Sequence, residues 1–281
     1  MESVSMAAGG DVLLRSIENS ILTLTLNRPE KLNAMTWRMM RLLREAVEEA
    51  AADPGVNVVV LTGAGRGFCS GGDLRGEPDP DDPINERWGR EPVSLSYEQR
   101  VVQLQRHTIG AVLLHELPKP TIAMIRGPVA GSGLCVAAAC DFRLAAPDSV
   151  FTTAFINAAR PGDFGGSYFL PRLIGQAKAR ELYMLGTKID AEEALRIGLI
   201  TRIVAADELE KETSRLAEQL ARGPCAAYRY MKRALSAAET RSAREVQELE
   251  AAGMIRCSQT EDAKELIKAT KEGRKPIFKG Y

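Results

Sequence analysis

Two glycine-rich turns are the residues of this chain best suited to chemistry: Arg66-Gly67-Phe68-Cys69-Ser70-Gly71-Gly72-Asp73 and Ala130-Gly131-Ser132-Gly133-Leu134-Cys135. Each follows an apolar stretch that reads as a strand, so each can aim backbone N–H groups at a point beyond a strand end. A ligand approaches a peptide plane closely only where no side chain intervenes, and such turns often need φ values that glycine tolerates best. Two converging amides would form an oxyanion hole able to polarise a carbonyl, with each donor worth roughly 3–4 kcal/mol in the transition state. Ser132 falls at the first turn of an expected helix, whose dipole would add to the pair. Taken singly, either turn is equally explained as a bend in the chain.

A proton-transfer group is the second requirement. In Arg160-Pro161-Gly162-Asp163-Phe164-Gly165-Gly166, Asp163 stands just before an expected helix, where a carboxylate serves either as a base or as the helix N-cap. The two uses compete, because a carboxylate bonded to several helix amides is a weaker base. The histidines are His107 and His115, eight apart on the helix preceding Pro118. His107 could activate water, with a core-edge histidine as the ordinary alternative. Five cysteines, an odd number without C-x-x-C spacing, argue against a disulfide framework and against a zinc site, so reduced thiols and no metal are expected.

These groups need a scaffold, and 281 residues suffice for one large domain or a domain with an appendage. Thirty-seven basic residues balance thirty-seven acidic ones, so net charge recruits neither nucleic acid nor an anionic membrane surface. No apolar run approaches the roughly eighteen residues of a membrane span, and the first residues lack the basic and apolar parts of a secretory signal. A cytoplasmic protein is expected.

Along the chain, residues 1–10 read as a disordered start. A hairpin is expected from Asp11–Ser16 and Ser20–Leu26 through Glu18-Asn19, then a helix from Asn33 to Asp53-Pro54-Gly55 carrying Met35, Met39, Leu42, Leu43, Ala46, Val47 and Ala50 on one face. Val58-Val59-Val60-Leu61 is a continuous apolar strand, the pattern of a strand buried on both faces. Gly76 to Val93, with four prolines and an aspartate run, reads as a long mobile loop. Helix Tyr97–Glu116, strand Thr121–Ile125, a helix through Cys140, strand Phe142–Ala146, helical patterns over Gly165–Leu185 and Ala191–Ile197, and strand Ile200–Val204 complete residues 11–205. Residues 206–281 are amphipathic helices with too little apolar surface for a core of their own, so they should pack on the main domain or on other subunits.

Five segments in order, Leu26-Asn27-Arg28-Pro29-Glu30-Lys31-Leu32-Asn33-Ala34, Gly67-Phe68-Cys69-Ser70-Gly71-Gly72-Asp73-Leu74, Gly127-Pro128-Val129-Ala130-Gly131-Ser132-Gly133, Cys140-Asp141-Phe142-Arg143 and Ala191-Glu192-Glu193-Ala194 through Gly198-Leu199-Ile200, together resemble the crotonase family, the enoyl-CoA hydratase/isomerase superfamily. The resemblance spans residues 12–281. It implies an α/β spiral of repeated ββα units with a helical C-terminal region that builds homotrimers or dimers of trimers. An acyl-CoA thioester would be the substrate, and no cofactor would be needed beyond the coenzyme A of that thioester. By the same resemblance the amides of Gly72 and Ser132 would hold the thioester oxygen. Lys31, Leu32, Ala34, Ser70, Gly71, Asp73, Leu74 and Gly131 match substrate-lining positions, with Lys31 a candidate phosphate contact.

Departures from the family pattern bear on the reaction. The two glutamates that hydratases use to place and activate water are replaced by Cys135 and Phe155, neither of which substitutes for a carboxylate. Asp163 matches the aspartate of isomerase-like members and the nucleophilic aspartate of aryl-CoA dehalogenases. The expectation is double-bond or ring isomerisation with Asp163 as single acid/base; hydration, an Asp163-nucleophile reaction and a non-catalytic acyl-CoA or RNA binder are the alternatives.

Overall fold

In a computed structural model, residues 12–74, 79, 81 and 95–280 are described. The expected segment 1–10 lies outside the described residues, as does the expected loop 76–93 apart from Asp79 and Asp81. Strand β1 (Leu13–Glu18) pairs antiparallel with β2 (Ile21–Leu26). In β2, Leu22, Leu24 and Leu26 are buried between half-buried neighbours, the alternation that a two-residue period imposes. The connecting residues Asn19 and Ser20 both have positive φ, 51° and 62°, the left-handed pair that matches the twist of a two-residue hairpin. The turn therefore sits one residue later than expected.

Further along come β3 (Val58–Gly63), β4 (Thr121–Ile125), β5 (Pro128–Ala130), β6 (Phe142–Ala145), β7 (Val150–Thr152) and β8 (Arg202–Ile203). The main sheet has the order β1-β2-β3-β4-β6-β8, parallel from β2 onward, and β5 and β7 form a separate parallel pair. That second pair is absent from the sequence reading, since three-residue strands are too short to show periodicity. β8 is correspondingly shorter than the expected Ile200–Val204.

The helices are α1 (Trp37–Ala52), α2 (Tyr97–Thr108), α3 (Gly110–Glu116), α4 (Ser132–Ala139), α5 (Gly166–Ile174), α6 (Gln176–Leu185), α7 (Ala191–Arg196), α8 (Leu209–Ala221), α9 (Cys225–Ala238), α10 (Ala243–Ser258) and α11 (Glu261–Glu272). α1 begins at Trp37 because the Thr36 hydroxyl accepts from the Met39 N–H at 3.2 Å, a helix N-cap. The single helix expected over Tyr97–Glu116 is two, since Thr108 bonds back to the Leu104 carbonyl at 2.9 Å just before Gly110, and back-bonding threonine and glycine both bend helices. The pattern over Gly165–Leu185 is likewise divided, at Gly175.

All six residues of β3 are buried, and they serve two cores. Val59 and Leu61 join a cluster with Leu43 and Val47 of α1, whereas Val58 and Val60 face Ile122, Leu144 and the α8 residues Leu209, Leu216 and Leu220. The continuous apolar run thus records burial on both faces, as expected. α8 accordingly lies on the sheet, while α9 and α10 pack on each other and leave Met231, Leu235, Met254 and Ile255 more than half exposed. No described helix is long and apolar enough to cross a membrane.

Candidate active site

Backbone pairing brings the two glycine turns together. Cys69 bridges Val129 in parallel, with the Ala130 N–H donating to the Cys69 carbonyl at 2.8 Å. Past this bridge both chains turn, and Gly72 and Ser132 end up as neighbours: a Cβ on Gly72 would lie 3.8 Å from the Ser132 hydroxyl oxygen. On the other side, Met35 donates to the Gly71 carbonyl and Asp73 to the Met35 carbonyl, both at 2.8 Å. The segment from Cys69 to Asp73 is thereby clamped between the second turn and the start of α1. A Cβ on Gly71 would lie 3.3 Å from the Ala130 carbonyl oxygen at a φ of +107°, and Gly131 adopts φ 53°, ψ −123°. Both conformations favour glycine. Ser132 opens α4, where an N–H has no intrahelical acceptor, and neither it nor the Gly72 N–H donates to another described residue.

Behind these turns Asn33 carries the local architecture. Fully buried, it accepts from the Arg28 N–H at 2.9 Å and donates to the carbonyls of Ala64 and Gly67 at 2.9 and 2.8 Å. Arg28 in turn donates to the Ala34 carbonyl at 2.7 Å and to the Asp73 carboxylate at 3.1 Å. The Asn27-Arg28-Pro29 stretch therefore works through its side chains on the loop that presents Gly72.

A cavity of ≈ 370 Å³ opens onto both turns. Of the expected site residues, Ser70, Gly71, Gly72, Asp73, Leu74, Gly131, Ser132, Phe155 and Asp163 line it. Lys31, Leu32 and Ala34 do not; they flank it, with the Ser70 N–H on the Leu32 carbonyl at 2.9 Å and the Ser70 hydroxyl on the Lys31 carbonyl at 3.2 Å. Cys135 also lies outside the lining, wholly buried within α4, and burial pushes its thiol far up. It packs rather than reacts. Trp37 and Leu104 contribute apolar wall, and Arg160 a guanidinium. These three were not singled out in the sequence, because only the fold brings α1, α2 and the segment before α5 to one place.

Asp163 does not cap the helix that follows it. The cap position of α5 is Gly165, there is no side-chain cap bond, and Asp163 offers the Gly166 N–H only its backbone carbonyl, at 3.1 Å. Its Oδ1 is buried and unpartnered among the described residues. Burial raises the carboxyl pKa above the ordinary carboxylate value, and the Arg160 guanidinium partly opposes the rise. Among the described residues the other lining carboxylate, Asp73, is held by Arg28, which leaves Asp163 as the lining carboxylate available for proton transfer. His107 is behind the wall, not in it: it is 2% exposed, its Nδ1 is 2.7 Å from the Gln103 carbonyl, and its ring meets Trp37 edge-on at 4.7 Å. His115 packs on Phe169 and lies beside Glu239. Among the described residues no group of three or more His, Cys, Asp or Glu side chains could hold a metal ion.

Among the described residues the arrangement combines two neighbouring turns whose Gly72 and Ser132 N–H groups have no described acceptor, a carboxyl group of raised pKa and an apolar wall. Comparisons with known proteins give the family. The family described as enoyl-CoA hydratase/isomerase matches residues 16–281. The 1,2-epoxyphenylacetyl-CoA isomerase of Escherichia coli is 33% identical over 271 residues, covering 96% of this chain and 99% of the relative. A Mycobacterium bovis protein named "Probable enoyl-CoA hydratase echA12" is 40% identical over 199 residues, 70% of this chain and 67% of its own. Among solved structures, an enoyl-CoA hydratase from Bacillus anthracis superposes with a TM-score of 0.85 at 28% identity, covering 96% of this chain and all of that one. The mixed α/β architecture with its helical C-terminal region is the fold of that solved structure.

Proposed function

The chain belongs to the enoyl-CoA hydratase/isomerase family, and from that premise we propose that it is an acyl-CoA isomerase that works through a thioester enolate. The observation that carries the reading is Asp163: a lining carboxyl group of raised pKa, free of any capping role, on a cavity that opens onto the Gly72 and Ser132 amides. The thioester oxygen would accept from those two N–H groups, which stabilise the negative charge as it develops. Ionised Asp163 would take a proton from the α-carbon of a β,γ-unsaturated acyl group, leaving a dienolate, and return it to the γ-carbon. The double bond moves into conjugation, and the carboxylate is regenerated.

Two-carboxylate hydration lacks its groups here, since Phe155 lines the cavity without a proton to exchange and Cys135 is buried away from it. A raised pKa also suits proton transfer near neutral pH better than nucleophilic attack by the carboxylate. Trp37, Met35, Met40 and Phe155 would enclose the acyl group, and Lys31, exposed on the rim, would meet a phosphate of coenzyme A. Trimers or their dimers would bury the apolar side chains that α9 and α10 expose.

Acyl-CoA thioesters should raise the melting temperature by several degrees at a hundredfold excess over Kd, and an unsaturated one should be consumed. Absence of any shift would remove the substrate class. A shift without consumption of any thioester would make the chain a binder instead.

A further inference from the structure

Within electrostatic reach of Asp163 is a second buried polar atom without a nitrogen or oxygen partner, the hydroxyl of Tyr183 on α6. The pair is chemically complementary: the donor lies against Gly166, and the acceptor's own residue takes the Gly166 N–H on its backbone carbonyl. Tyr183 is fixed from two sides. Its ring stacks on the cavity-lining Phe155, with centroids 5.9 Å apart and planes 13° from parallel. The Cys135 sulfur adjoins its hydroxyl. Gly166 permits that meeting, for a Cβ there would collide with both the Cys135 sulfur and the Tyr183 oxygen.

We propose that Tyr183 is a positioning residue for Asp163, its phenol donating a hydrogen bond to Oδ1 when the carboxyl group ionises. A buried hydroxyl and a buried carboxylate oxygen are each costly while unpaired, and a hydrogen bond between them satisfies both. Among the described residues the other ionisable groups acting on or beside Asp163 are Arg160 on its own segment and Cys135 on α4. Arg160 favours the ionised form from the cavity side; the neutral Cys135 thiol is too weak a donor to replace the phenol. No proton leaves Tyr183, which stays protonated throughout. Its hydroxyl orients the carboxylate and holds its pKa below the value that burial alone would set.

The inference rests on Asp163 as the acid/base, and its test separates the two. Tyr183→Phe keeps the ring on Phe155 and deletes an oxygen that is unpaired while Asp163 is protonated, so below the raised carboxyl value it should fold with an unchanged or higher melting temperature. Its acidic limb of kcat/KM should move up by about one pH unit, the scale of a hydrogen bond to a charged acceptor, with KM changed by less than about twofold. Infrared titration of the carboxyl band, assigned by its loss in Asp163→Asn, should show the same upward move without any substrate. An unshifted titration in Tyr183→Phe overturns the inference. A shifted titration in a protein that turns over no acyl-CoA upholds it and overturns the proposed reaction.

Discussion

Asp163→Asn is expected to lower kcat by about 10²–10⁴, the range a positioned general acid–base supplies, while acyl-CoA binding stays within a few-fold. The variant should also melt at the same or a higher temperature at neutral pH. Burial raises the carboxyl pKa in the folded protein, so the folded state holds this proton more tightly than the unfolded chain does. The stability gained is fully present below the ordinary carboxylate pKa and is lost as the pH rises through the raised folded value. Asparagine never ionises and escapes that loss. The same sign governs activity, since the base form is needed and kcat/KM should fall as the pH drops through the raised value. Wild-type turnover in Asp163→Asn, read with an unsaturated acyl-CoA, would exclude the residue from the chemistry. A lower melting temperature would return it to a structural role.

Ser132→Pro removes a backbone donor without removing the helix that carries it. Ser132 is the first residue of α4, the position where proline is best tolerated because its missing N–H has no helical acceptor. Gly131 before it is extended rather than helical, with ψ −123°, so the proline ring does not meet the clash it makes with a helical predecessor. Loss of one of two oxyanion donors should cost about 10²–10³ in kcat, with secondary structure and melting close to wild type. Ser132→Ala keeps the N–H and separates the hydroxyl from the amide; it should fall by less than tenfold. Equal losses in the two variants would place the function in the side chain rather than the backbone.

How far the sequence reaches is shown by particular residues. β3 and α1 were legible because four successive apolar residues and a 3.6-residue stripe have one economical burial each. Gly72 and Ser132 were legible as turns, but their meeting depends on the Cys69–Val129 bridge, a pairing between short segments without periodicity. Asp163 was visible and ambiguous, since the residue types before a helix are the same for a cap and for a base. The left-handed φ of Gly165 removes the capping role by placing the cap two residues later. Asn33 and Tyr183 were not legible as functional, one lying in a turn and the other on a helix, because their partners come from distant segments. His107 was visible as a possible base and is instead a core residue behind Trp37, a distinction only packing makes.

Where solvent oxygen goes distinguishes isomerisation from hydration and from nucleophilic attack by Asp163. The purified protein, given a β,γ-unsaturated acyl-CoA in oxygen-labelled water, should yield the conjugated α,β-unsaturated thioester as first product, of unchanged mass and without label. A labelled 3-hydroxyacyl-CoA as first product, or label entering the Asp163 carboxyl group during a single turnover, would contradict it.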